Sequence, residues 1–98
     1  MDIKLITSNK KQFLDLLLLA DEQESMIDKY LERGEMFALY DNDLKAVSVV
    51  TCEGGSIYEI KNIAVYPSSQ RKGYGKRLID YLFEYYQGKC SVMYVGTE

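Results

Sequence analysis

Ninety-eight residues suffice for one domain, burying roughly 60 to 65% of the surface the unfolded chain exposes, so a two-domain arrangement is excluded. With 47% hydrophobic and 28% charged residues, the composition is that of an ordinary globular protein and argues against disorder or a fibrous repeat. A net charge of −3 and the absence of His argue against a nucleic-acid-binding module and remove His-dependent catalysis and the usual zinc spacings, so no metal site is expected.

Residues 2–7 (DIKLIT) alternate polar and apolar and read as a short first strand. Ser8 and Asn9 are placed to cap a helix in which Phe13, Leu14, Leu16, Leu17 and Ala20 form a wide apolar face. Leu18 and Leu19 fall on its other sides, which suggests contact with a neighbouring helix or the wall of a cleft. The run at residues 16–20 is too short to span a membrane, and the opening MDIK has mixed charge rather than the pattern of a signal peptide. Ser25 has capping-box spacing to Asp28, and Met26, Ile27, Tyr30 and Leu31 recur at helical steps, so a second helix is predicted over 25–33. Gly34 would end it from a left-handed conformation.

From Glu35 the period becomes two, with Met36, Ala38 and Tyr40 on one face and Phe37 and Leu39 on the other. Asp41, Asn42 and Asp43 make a turn. A Val-rich strand over 44–52 follows and ends at Glu53, Gly54, Gly55 and Ser56. The next strand, 57–66 (IYEIKNIAVY), is then the third of an antiparallel meander and ends at Pro67, which cannot donate to a ladder. Cys52 and Cys90 lack CxxC spacing and are expected as buried free thiols, which points to a reducing cytoplasm.

Between that strand and the next helix lies the loop QRKGYG. Arg71, Lys72, Lys76 and Arg77 cluster here, so an anion bound by this chain is expected here. Gly73 and Gly75 leave the backbone open to close approach, and the first-turn amides and dipole of the following helix stabilise negative charge by about 0.3 to 1 kcal/mol. The dinucleotide pattern GxGxxG fails at Leu78, and the P-loop fails because Arg77, not Ser or Thr, follows Lys76. Leu78, Ile79, Leu82, Phe83 and Tyr86 give the helix an apolar face to lay on the sheet, and Gly88 closes it. Residues 90–95 (CSVMYV) read as a last strand, parallel to 57–66 through a right-handed crossover.

Gln70, Arg71, Lys72, Gly73, Tyr74 and Gly75, preceded by IKNIAVYP, resemble the signature of the GNAT superfamily of acetyl-CoA-dependent N-acetyltransferases. The element order of strand, two helices, three strands, helix and strand resembles the first two thirds of that family's domain, and the likeness covers nearly all of residues 1–98. It implies an α/β (α+β) fold of acyl-CoA N-acyltransferase type, with a mixed, mostly antiparallel sheet of about five strands and three helices, as a single domain lacking its C-terminal helix and strands. It implies that backbone groups of Ile63, Ala64 and Val65 pair with the pantetheine arm of acetyl-CoA. The amides of Arg71, Lys72, Gly73, Tyr74, Gly75 and Lys76, beside Gln70, would hold the pyrophosphate. The gap between 57–66 and 90–95 would admit the thioester.

By the same comparison Glu59 falls where the histone-acetyltransferase branch keeps its general base. A carboxylate in an otherwise apolar strand suits base work on an ammonium near neutral pH. The alternative for Glu59 is a solvated face or a pair with Lys61, two residues along. Tyr85, Tyr86 and Tyr94 are read as core or rim aromatics, and no acid for the leaving thiolate is assigned.

Two functions follow. The first is an enzyme that transfers acetyl from acetyl-CoA to a primary amine of a small molecule or peptide; the second is a CoA-binding or assembly module without turnover. The Val-, Met- and Tyr-rich last strand, left at an open edge, is a template through which two copies are expected to pair.

Overall fold

The structure, a computed structural model, describes residues 1–95. Its five strands run in the order β1-β2-β3-β4-β5: β1 Asp2–Ile6, β2 Glu35–Asp41, β3 Asp43–Gly54, β4 Ile57–Val65 and β5 Val92–Val95. The first four pair antiparallel as a meander, and β5 pairs parallel to β4, as expected of a strand that follows a helix. The helical segments are α1 (Leu14–Leu17), which continues a 3-10 turn over Lys10–Phe13, then α2 (Glu24–Ile27) and α3 (Tyr74–Tyr85). Among the described residues no helix is long and apolar enough to cross a membrane.

The two-residue period of β2 decides the layering. Met36 and Ala38 join Val47, Val49 and Ala64 under Phe13, Leu16, Leu17, Ile27 and Leu31. Phe37 and Leu39 point the other way, with Ala46, Val50 and Ile60, onto Leu78, Leu82 and Tyr86 of α3. The central strands are thus buried on both faces, which is why β2 and β3 read as nearly continuous apolar runs. Phe37 meets Tyr81, Tyr85 and Tyr86 edge-on, with ring centroids 5.1 to 6.2 Å apart. Tyr86 is core, Tyr85 half-buried and Tyr94 at the rim.

Several local expectations are corrected. Asn9 stands at the head of the first turn with φ 51, but neither it nor Ser8 supplies a side-chain cap. The second helix begins at Glu24 behind Gln23, also without a side-chain cap, so Ser25 caps nothing; beyond Ile27 the chain continues as turns to residue 33. Ala20 is exposed rather than part of the apolar face, and Phe83 is 47% exposed because the apolar stripe of α3 narrows to Leu78, Leu82 and Tyr86. Cys52 is exposed, and Cys90 is half-buried against the edge of the α3 core, so neither is a fully buried thiol. Leu18 packs on the first core, while Leu19 lines an open depression of about 400 Å³ with Asp21 and Glu22.

These short helices are held by tertiary contacts rather than by caps. The buried Lys10 ammonium donates to the carbonyls of Leu31 at 3.0 Å, Glu32 at 3.3 Å and Gly34 at 2.7 Å, satisfying the carbonyl end of the turns after α2. Gly34 is required by space, not by the expected left-handed backbone, which only Gly54, Gly55 and Gly73 adopt among the described glycines. A Cβ at Gly34 would stand 2.8 Å from Val49 Cγ1, 2.9 Å from the Tyr30 carbonyl and 3.0 Å from the Val50 carbonyl. Two of those neighbours are backbone, so the chain must move to admit a methyl group. Gly34→Ala is expected to destabilise the fold by about 2 kcal/mol, lowering the melting temperature by about 10 °C; thermal unfolding followed by circular dichroism measures this, and an unchanged midpoint would contradict the packing argument.

Candidate functional site

Strand β4 carries the site, and one extra residue in it sets the geometry. In the β3–β4 ladder Val49 pairs with Asn62 and Val50 with Ile60, so Lys61 is an inserted residue, a β-bulge. Alternation alone would put Ile60, Asn62 and Ala64 on one face. The bulge instead sends Ile60 into the α3 core while Ala64 enters the other. The described pairing with β5 runs from Ile57↔Val92 to Ile60↔Val95, the last described residue. On the β3 side Asn62, Ile63, Ala64 and Val65 pair with Val49, Ser48, Val47 and Ala46.

This end of β4 leads into the loop. Tyr66 N–H donates to the Lys45 carbonyl at 3.1 Å, and Pro67–Ser69 make one 3-10 turn. Arg71 (φ 64) and Gly73 (φ 86) then take left-handed conformations that turn the chain into α3. Gly73 is the N-cap and supplies no side chain, and the Arg77 N–H to Gly73 carbonyl bond at 3.0 Å closes the first turn. The amides of Tyr74, Gly75 and Lys76 precede that bond and so lack intrahelical acceptors, at the positive end of a three-turn helix. Gly73 is explained by its backbone angle. Gly75 is not demanded by the chain itself, since a Cβ there would meet only Val65 Cγ2 at an ordinary 3.7 Å.

The first turn is anchored by Tyr74, whose hydroxyl donates to Asp41 Oδ2 at 2.7 Å across the β2–β3 turn. That bond, and then burial, push the Tyr74 phenol above its ordinary pKa. Arg71, Lys72, Lys76 and Arg77 are all exposed around the loop. Lys76 pairs with Asp80 at 2.9 Å, an exposed contact worth little in water. Gln70 is exposed, and its side-chain amide donates to the Val65 carbonyl at 3.1 Å, tying the loop to the end of β4.

Glu59 lies on the other side of the bulge, about 20 Å along the strand from Val65. It stands opposite Thr51 on β3 and Tyr94 on β5. Its carboxylate is not in an apolar pocket: Oε1 lies 3.0 Å from Lys61 Nζ, with the Glu59 side chain 26% exposed. Of the two sequence readings, the pair with Lys61 is present. Lys61 also approaches Glu53 at 3.9 Å, and Glu53 is held by Arg33 at 3.2 Å and by the Thr51 hydroxyl. The Thr51 bond, and then Arg33, hold the Glu53 carboxyl below its ordinary pKa.

The loop, the β4 edge and Glu59 thus lie along one strand and its exit, while Ile63 and Val65 also pack toward α3 and Ala64 toward the opposite core. Sequence reasoning missed Asn62. Its side chain, 3% exposed, donates to the Leu17 carbonyl at 3.1 Å and to the Tyr30 hydroxyl at 3.0 Å, and Tyr30 in turn donates to Asp21 Oδ2 at 3.2 Å. The signal was available, because an Asn amid an apolar strand pattern must find partners when buried. On the opposite face Tyr86 donates to Glu35. Burial, and then that carboxylate, keep the Tyr86 phenol protonated.

Comparison with known proteins gives a consistent family. Residues 32–98 match the acetyltransferase (GNAT) domain. An uncharacterized N-acetyltransferase of Bacillus subtilis (strain 168), YvbK, is 42% identical over 78 residues, which are 79% of this chain and 50% of the relative. The crystal structure of a GNAT family acetyltransferase from Elizabethkingia anophelis with acetyl-CoA bound superposes with a TM-score of 0.82 at 34% identity, over 90% of this chain and 58% of that one. A Bacillus subtilis acetyltransferase in complex with CoA superposes with a TM-score of 0.78 at 38% identity, over 87% of this chain and 57% of that one. The chain therefore spans about half the length of the curated relative it matches.

Because the folded-state pKa of Glu53 is depressed, its contacts stabilise the fold above the unfolded carboxyl value, about 4.3, and that contribution disappears as pH falls through the folded value. Glu53→Gln is expected to lower the melting temperature at pH 7, and the gap to the parent is expected to narrow as pH falls below the unfolded carboxyl value. Melting curves across pH check this, and a gap that persists undiminished at acid pH would contradict it.

Proposed function

The chain belongs to the GNAT acetyltransferase family, and from that footing we propose that it binds acetyl-CoA along β4 and the loop and transfers the acetyl group to a primary amine. The observation that carries the reading is the glycine-capped helix N-terminus that follows β4 and its loop, whose first amides precede the first intrahelical bond. That terminus fits the diphosphate of an elongated donor. The backbone of Ile63, Ala64 and Val65 would align the pantetheine arm, and Gln70 holds the Val65 carbonyl at the end of that strand. The amides of residues 71–76 would take the pyrophosphate, with the exposed cations of Arg71, Lys72 and Lys76 around it. Bound acetyl-CoA supplies an acyl thioester, the activated form of the group transferred.

An amine reaches such a site mainly as its ammonium and must lose a proton before it attacks. Glu59, directly or through an ordered water, takes that proton; its partial exposure leaves it reachable from solvent. The acceptor is a small molecule or a peptide amine, and a reducing cytoplasm suits the free thiols Cys52 and Cys90. A second reading is a CoA-binding or assembly module without turnover.

Calorimetry with CoA, followed by a thiol-release assay with mixed primary amines, separates these readings: binding with turnover supports the transferase, binding alone the module, and no binding contradicts both. Gly75→Asp is the sharper probe of the cradle. An Asp at the second helical position suits the dipole, so stability should hold or rise by about 0.3 to 1 kcal/mol. CoA affinity should fall about tenfold or more, since a like-charge contact near the surface is worth about 1 to 4 kcal/mol. Equal affinity would remove the loop from the site. Glu59→Gln is expected to lower kcat by about 10²- to 10⁴-fold with CoA affinity kept, and undiminished turnover would remove Glu59 as the base.

A further inference from the structure

The Glu59–Lys61 pair has the form of a base with its substrate. Lys61 Nζ is a primary ammonium 3.0 Å from Glu59 Oε1, the contact an incoming amine must make before losing its proton. Its second carboxylate is a weaker tie. Glu53 Oε2 lies 3.9 Å away and is already engaged by Arg33 at 3.2 Å and by the Thr51 hydroxyl. Lys61 is also the inserted residue of the β4 bulge, between Glu59 and the start of the loop. At 27% exposure its side chain is neither sealed in a core nor free in solvent.

The other ion-paired lysines lack this combination. Lys45 pairs with Asp43 at the β2–β3 turn, Lys76 with Asp80 on α3, and Lys11 with Glu24 and Asp28 beside α2. None of those carboxylates lies on β4.

We propose that Lys61 is an internal acceptor, acetylated at Nζ by the chain itself from an acyl-CoA thioester held along β4. The inference rests on the reading of Glu59 as base and of the β4 edge and loop as the acyl-donor site. In the step, the Lys61 ammonium gives one proton to the Glu59 carboxylate. The freed lone pair of Nζ forms the N–C bond to the acyl carbon, and the C–S bond breaks with its electron pair leaving on sulfur. The departing thiolate takes up a proton, and Nζ loses its remaining extra proton to solvent. The products are Nε-acetyl-lysine at position 61 and free CoA thiol, with no change of oxidation state. The amide carries no charge, so the modified chain loses the cation lying between Glu59 and Glu53 and leaves Glu59 open to an external ammonium.

The test uses the full 98-residue chain with acetyl-CoA and no added amine, and residue-resolved mass spectrometry over time. Uncatalysed thioester chemistry follows exposure, so Lys29 and Lys89, both exposed and outside the loop, are internal controls. Acetylation of Lys61 ahead of these, slowed about 10²-fold by Glu59→Gln and abolished by Lys61→Arg, is the expected result. A second measurement needs no turnover: desacetyl CoA should shield Lys61, but not Lys29, from N-hydroxysuccinimide acetate. Lys61 modified no faster than the exposed lysines, with or without shielding, overturns the inference; if CoA still binds and added amines still release thiol, the transferase reading stands. Failure to bind CoA at all overturns both.

Discussion

The single inserted residue in β4 is the constraint on which the rest of the arrangement depends. Up to Ile60 the strand is paired on both sides and sends its apolar side chains under α3. After Lys61 the alternation is reversed, so Ala64 fills the opposite core and Asn62 clamps α1 and the turns after α2 to the sheet. Without the extra residue one set of these side chains would face the wrong layer, because a slip of one residue exchanges the two faces of a strand. The bulge thus serves both cores.

The two ends of the site are held by different means. At the loop, Gly73 and Arg71 in left-handed conformations direct the chain into α3, and the Tyr74–Asp41 bond fixes the first turn against the β2–β3 hairpin. At the other end Glu53, held by Arg33 and Thr51, approaches Lys61, and Lys61 faces Glu59. Between them lies one strand whose side chains are committed to packing, which leaves the backbone as the part of β4 able to bind. This division suits recognition of an elongated donor: main-chain groups supply alignment, and chemistry is left to the few polar side chains at the bulge.

Strand order, the two faces of β2, the β2–β3 turn, the end of β4 at Pro67 and the parallel return of β5 were all legible in the sequence. Each rests on a period of two, a turn residue or a proline, signals that depend on local chain geometry. The loop was legible for the same reason, with Gly73 giving the left-handed N-cap. The short helices were not. Ser8 and Ser25 offered caps that the structure does not use, because Lys10, 24 residues before Gly34 and bonded to its carbonyl, does the work of a cap through a long-range contact. Gly34 was read as a conformational device, and its reason is a collision with Val49 and two carbonyls that only the assembled sheet creates. The bulge at Lys61 was invisible as well, since IYEIKNIAV reads as unbroken alternation until its partners on β3 are known.

In the proposed function, β4 and the start of α3 form one continuous ligand surface. A titration of the isotopically labelled chain with CoA, followed by amide nitrogen and proton resonances, tests this most directly. The expected result is that the largest shifts fall together on residues 63–65 and 71–76, with α1 and α2 little changed. Shifts confined to the open depression lined by Phe83, Gln87, Cys90 and Met93, or none at saturating CoA, would contradict it.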